Sequence, residues 1–113
     1  MRTLEEAGTI SNRDSELLHE IKAVVQQYLR GSSLLLYGSV ARGEQEAESD
    51  YDLLILTGNA ISENQEANVR NALYSLELER GVVVSKMFYS RDEWNRNASM
   101  PFHAEVETDA ILL

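Results

Sequence analysis

Leu17, Leu18, Ile21, Val24, Val25, Tyr28 and Leu29 recur in steps of one, three and four, which draws one apolar stripe down a helix. The pattern predicts a helix over about residues 15–30, with Asp14 or Ser15 as its cap and Gly31 as its stop. Leu34-Leu35-Leu36-Tyr37 is a short apolar run that reads as a buried strand, and so is Tyr51-Asp52-Leu53-Leu54-Ile55-Leu56, closed by Thr57-Gly58-Asn59. Ser62 with Gln65 three residues on forms a capping box. It opens a second long helix to about Glu79, with Val69, Ala72, Leu73 and Leu76 on one face. Gly81 ends it, and Val82 to Tyr89 reads as a third strand. Ser90 with Glu93 is another capping box, starting a short helix that carries Trp94, and Pro101 opens a last helix through about Glu107. Residues 1–11 show no period and read as a loose or partly docked arm. The order α-β-β-α-β-α-α predicts a small α/β (α+β) domain with helices against a mixed sheet. Its parts are an arm over 1–11, a core over 14–90 and short helices over 91–113.

The 113 residues suit one hydrophobic core, so 1–113 reads as a single domain. With no cysteine, the chain has no disulfide framework, Cys-type zinc site or thiol nucleophile. No apolar run approaches the ~18 residues of a membrane span, and the first residues carry acids where a signal peptide needs an apolar stretch. A cytoplasmic protein with no membrane partner is the expectation. The net charge of −9 argues against non-specific grip on a nucleic-acid backbone. That charge is concentrated: Glu44, Glu46, Glu48, Asp50 and Asp52 stand against Arg42 alone.

The concentration lies in a chemically suggestive place. A strand delivers Gly38-Ser39 into a turn, ten residues follow, and Asp50-Tyr51-Asp52 opens the next strand. Alternate residues of a strand share a face, so Asp50 and Asp52 are presented side by side, with Tyr51 turned towards the core. Adjacent carboxylates repel unless a cation lies between them, and Mg²⁺ is typically held by one or two carboxylates plus substrate phosphates. Gly38 permits close backbone approach and Ser39 adds a hydroxyl donor. Val40 to Gly43 reads as a helical turn whose N-terminus faces the same anion. A phosphate-binding turn beside a metal-binding pair implies a nucleoside triphosphate with its metal.

The segment Gly38 to Asp52 resembles the GS-x10-DxD motif of the polymerase-β-like nucleotidyltransferases, above all their minimal, MNT-type members. The resemblance implies a nucleotidyltransferase-like fold over roughly residues 14–90. It makes Asp50 and Asp52 the catalytic metal ligands for Mg²⁺ (or Mn²⁺), and Gly38, Ser39 and Arg42 the triphosphate-binding residues. It implies transfer of an NMP group from an NTP, ATP favoured, to a hydroxyl. By the same resemblance the partner is a small helical HEPN-type ribonuclease inactivated by its antitoxin, or a second copy of the chain. Active relatives carry a third acid on the strand after the second long helix. Here that strand has none: Ser85 or Lys86 stands at its place, and either Glu79 or a residue of the partner is the candidate substitute. Two other functions follow from the same residues. One is a catalytically weak nucleotide-binding antitoxin or regulator that masks its partner, and the other a small-molecule nucleotidyltransferase. The two dozen residues after the third strand leave little chain to hold an acceptor, which favours a protein acceptor.

Other polar and aromatic residues have plainer readings. Arg42 suits a surface pair with Glu44, Glu46 or Glu48 as well as a phosphate contact. Lys86 reads equally as an edge residue or a triphosphate contact. His19 and His103 have no partner at metal-ligand or triad spacing, and Phe88, Tyr89, Trp94 and Phe102 read as packing residues.

Overall fold

The computed structural model describes residues 1–46 and 50–113. The chain runs β1 (Arg2–Thr3), α1 (Asn12–Tyr28), β2 (Ser33–Tyr37), α2 (Gly38–Arg42), β3 (Tyr51–Thr57), α3 (Glu63–Arg80), β4 (Val84–Ser90), α4 (Arg91–Arg96), α5 (Pro101–Asp109) and β5 (Ile111–Leu112). The strands form one mixed sheet in the order β1-β5-β2-β3-β4. β2 runs antiparallel to β3, whereas β3 and β4 are parallel and joined by α3.

Alternation along the two central strands divides the molecule into layers. Leu34, Leu36, Leu53 and Ile55 face one way and pack with Leu18, Ile21 and Val25 of α1 and Val69 and Leu73 of α3. Leu35 and Leu54 face the other way, onto Trp94 of α4 and Val106 and Ala110 around α5. Both faces of β2 and β3 are therefore covered, which is why each reads as an unbroken apolar run rather than an alternating one.

The ends of the chain depart from expectation. Of the two readings of residues 1–11, loose or partly docked, the structure shows the docked one and adds a strand to it: Arg2 and Thr3 pair with Ile111 and Leu112, and Leu4 and Ala7 enter the core. Neither two-residue strand has room for a period, so β1 and β5 leave no alternation to read. Among the described residues five strands thus replace the three expected. α1 begins at Asn12 rather than near 15 because Ser11, not Asp14 or Ser15, is its cap, its side chain accepting from Asp14 N–H at 3.1 Å. Its added first turn is polar and carries no stripe. α1 ends at Tyr28, before Gly31, which holds φ of +75° in the following turn. Both expected capping boxes are present, Ser62/Gln65 on α3 and Ser90/Glu93 on α4. The last helix continues past Glu107 to Asp109.

Candidate active site

Three buried leucines, Leu34 to Leu36, fix β2 between its neighbours and aim its end at Gly38. There the backbone takes φ of +78°, a left-handed conformation that glycine adopts without steric cost. The turn runs directly into α2, whose Val40 and Ala41 are buried and anchor it. The N-cap of α2 is Tyr37, which gives no side-chain hydrogen bond to the first-turn N–H groups. First-turn N–H groups of this kind are donors that an anion can satisfy.

Asp52 lies directly against this turn. Tyr37 and Asp52 are cross-strand partners, and a Cβ at position 38 would collide with Asp52 Oδ2 and lie 3.1 Å from its Cγ. Gly38 is thus required twice, for its dihedral and for the space its missing side chain leaves to the carboxylate. Asp50 immediately precedes β3 and is exposed, while Asp52 is half-buried on the α4/α5 face. Asp52 is shifted up from 3.8, first by burial and then by repulsion from Asp50, with Arg42 opposing and Glu105 adding to the rise. Tyr37 is likewise shifted up, by burial first and then by the charges of Asp52 and Glu105. Among the described residues burial and negative charge outweigh the opposing charge of Arg42 at Asp52, and a cation would relieve them.

The register of β4 decides which residue stands beside the pair. Ser85 is opposite Asp52, on the same face, and its hydroxyl donates to Asp50 Oδ2 at 3.1 Å. Lys86 is opposite Leu53 and turns to the other side of the sheet, towards α3. Its Nζ donates to Val84 O at 2.7 Å and lies 3.5 Å from both carboxylate oxygens of Glu77. Glu77 also accepts from Val84 N–H at 2.7 Å, so it belongs to the packing between α3 and β4. Glu79 lies two residues further along α3, on the side turned away from Glu77, and is exposed. The structure does not bring it to Asp50 and Asp52.

Arg42 sits at the end of α2, where its Nε donates to Glu44 at 2.9 Å and its Nη1 to Asp109 Oδ2 at 2.7 Å. The Asp109 side chain is only 11% exposed, so this second pair ties α2 to the end of α5. Sixty-seven residues separate the partners, and no local spacing announces such a contact. Glu48 lies outside the described residues. The aromatic residues pack as expected: Tyr37 with Phe102, Phe102 with Trp94, and Trp94 with Tyr89 at 5.5–5.8 Å. His103 stacks on Trp94 at 4.3 Å. Tyr51 faces the α1 side, donates to Asp14 at 2.6 Å and is pushed up to about 12, mainly by burial and by that bond.

This donor set fits a hard divalent cation. Two carboxylates and a hydroxyl offer oxygen ligands, and among the described residues no three acidic or histidine side chains are close enough to hold an ion together. Asp50 and Asp52 could supply only part of a coordination shell, leaving the rest to water and phosphate oxygens, as Mg²⁺ favours. Among the described residues, no helix is long and apolar enough to cross a membrane.

The sequence model of the family described as "Polymerase beta, Nucleotidyltransferase" matches residues 19–109, which include both strands and the turn that build this corner. The "Putative protein adenylyltransferase" of Methanocaldococcus jannaschii is 28% identical to this chain over 103 residues, covering 90% of it and 98% of that relative.

Proposed function

The chain belongs to the polymerase-β nucleotidyltransferase family, and from that premise we propose that it moves the AMP group of ATP to a hydroxyl on a partner protein. Nucleotidyl transfer, and with it the binding of an NTP and a divalent metal, is the family's chemistry. The further assignments of adenylate, Mg²⁺ (or Mn²⁺) and a protein acceptor are this reading's own. They draw support from the name of the archaeal relative, a protein adenylyltransferase. The observation that carries the site is the fit of Asp52 against Gly38, which makes the anion-binding turn and the carboxylate pair one unit.

In this reading Asp50 and Asp52 hold the ion, which supplies charge neutralisation of the triphosphate when bound. The N–H groups around Gly38 and Ser39 orient the phosphates in line for attack. The acceptor oxygen bonds to the α-phosphorus as the bond to the α–β bridging oxygen breaks. Pyrophosphate leaves, and the hydroxyl proton passes to water. Arg42 reaches this site through its charge, while its hydrogen bonds go to Glu44 and Asp109. A partner of basic surface, such as a small helical HEPN-type ribonuclease, suits a chain of net charge −9. Ser85 favours a second reading, in which the chain masks its partner and transfers slowly, because the β4 residue beside Asp52 brings a hydroxyl rather than an acid.

The test incubates the protein and its co-purifying partner with α-phosphorus-labelled ATP, CTP, GTP or UTP and Mg²⁺ or Mn²⁺. Label from ATP that protease removes and ribonuclease spares, and that Asp50→Asn with Asp52→Asn abolishes, supports protein adenylylation. Label on RNA or on a small molecule refutes the protein acceptor. Absence of transfer, with tight partner binding retained by the double variant, establishes masking instead.

A further inference from the structure

Two contacts lock α5 alongside α2. At one end the Phe102 ring meets Tyr37, the residue before α2, edge-on at 5.5 Å. At the other, Asp109 holds Arg42, the last residue of α2. The two helices therefore run side by side in the same direction. Glu105 lies three residues after Phe102 and four before Asp109, so all three share one stripe of α5. That stripe places Glu105 between the two anchors, on the side of α5 that turns towards α2 and Tyr37. Its side chain is exposed, and it has no hydrogen bond or ion pair among the described residues. The neighbours that feel its charge are Tyr37 and Asp52.

We propose that Glu105 is a third carboxylate of the cation site, one that faces the ion from α5 without gripping it. The strand beside Asp52 contributes the uncharged Ser85, and Glu105 adds its charge from the helix anchored beside α2. Among the described residues no three acidic side chains are placed to hold one ion together, so Glu105 is not a direct ligand beside Asp50 and Asp52. It acts by adding negative potential and by accepting hydrogen bonds from water on the ion. Asp109 and Phe102 are positioning residues for it. This inference rests on the reading of Gly38 to Asp52 as a cation and triphosphate site.

The same charge that attracts a cation repels an anion, and the test uses those opposite signs. Mn²⁺ binding without nucleotide is measured by the loss of the free-ion electron paramagnetic resonance signal. Inorganic triphosphate binding is measured by calorimetry in excess EDTA. Glu105→Gln should weaken Mn²⁺ binding about three- to ten-fold, Glu105→Lys should weaken it further, and Glu105→Asp should retain most of it. Triphosphate without metal should follow the reverse order, tightest for Glu105→Lys. Glu107→Gln, on the same helix but bonded to Trp94, should leave Mn²⁺ binding within two-fold of the wild type. Mn²⁺ binding unchanged in Glu105→Gln and Glu105→Lys overturns the role of Glu105, and so does a parallel loss of both ligands. A wild type that binds no Mn²⁺, or binds it equally after Asp50→Asn with Asp52→Asn, overturns the site reading itself.

Discussion

Replacing Gly38 by alanine tests the construction of the site at its tightest point. Two costs are expected, and a second glycine separates them. Gly31 has nearly the same dihedral, φ of +75° against +78°, but nothing lies within 4 Å of where its Cβ would be. Left-handed backbone costs an L-residue about 1–2 kcal/mol, and the lost freedom of the unfolded chain returns about 0.4–1 kcal/mol. Gly31→Ala should therefore destabilise the protein by about 1 kcal/mol. Gly38→Ala carries the same cost and also drives its methyl into Asp52 Oδ2, an overpacking typically worth about 1–3 kcal/mol. The expected total is about 2–4 kcal/mol, or a melting temperature lower by roughly 10–20 °C against about 5 °C for Gly31→Ala. Thermal unfolding by circular dichroism gives both values, and Mn²⁺ titration reports whether the displaced carboxylate still binds. A double-variant cycle completes the test: with Asp52→Ala in the background, the cost of Gly38→Ala should fall to that of Gly31→Ala. Equal costs for the two glycines in the wild-type background, with Mn²⁺ binding intact, would show that Gly38 and Asp52 do not meet as described.

Three further outcomes follow from the same geometry. Asp52 has its folded-state pKa raised, so the stability linked to its protonation is full below its unfolded value near 3.8 and is lost as pH rises through the folded value. Metal-free Asp52→Asn should then melt higher than the wild type at pH 7, and the gap should close in unfolding curves taken below about pH 4. Glu77→Ala leaves Lys86 Nζ and the Val84 N–H without their carboxylate in a site about nine-tenths buried, and should cost about 2–4 kcal/mol in urea unfolding. Glu77→Leu with Lys86→Met should recover much of that loss; equal destabilisation by the double variant would contradict it. Ser85→Asp places a carboxylate beside Asp50 and should tighten Mn²⁺ binding and speed transfer, whereas a loss of both would show that the Ser85 hydroxyl is itself required.

What could be read from the chain, and what could not, follows the range of the interactions involved. The two long helices and three main strands each carry a local apolar pattern, and the capping residues of α3 and α4 are spaced three apart, so sequence alone exposes them. Gly38, Ser39, Asp50 and Asp52 were visible as candidates because one turn and one strand opening sit on adjacent strands, ten residues apart in sequence. The facing of β4 was not visible: whether Ser85 or Lys86 stands beside Asp52 depends on a register that a one-residue slip would reverse. The strands at the two ends, and the pair of Arg42 with Asp109, join residues more than sixty positions apart and have no local period to betray them. Glu105 has the same history. It is one exposed acid among many until Phe102 and Asp109 fix its helix beside Tyr37 and α2.

The central claim is that this corner transfers a nucleotidyl group, not a phosphoryl group, and that its carboxylate pair is needed to do so. Parallel reactions with ATP labelled at the α- or the γ-phosphorus, in the presence of Mg²⁺ and the co-purifying partner, test it directly. The account predicts stable label on the partner from α-labelled ATP alone, released pyrophosphate from the γ-labelled reaction, and neither product with Asp50→Asn and Asp52→Asn. Transfer of the γ-label, or α-label transfer that survives the double substitution, would contradict it.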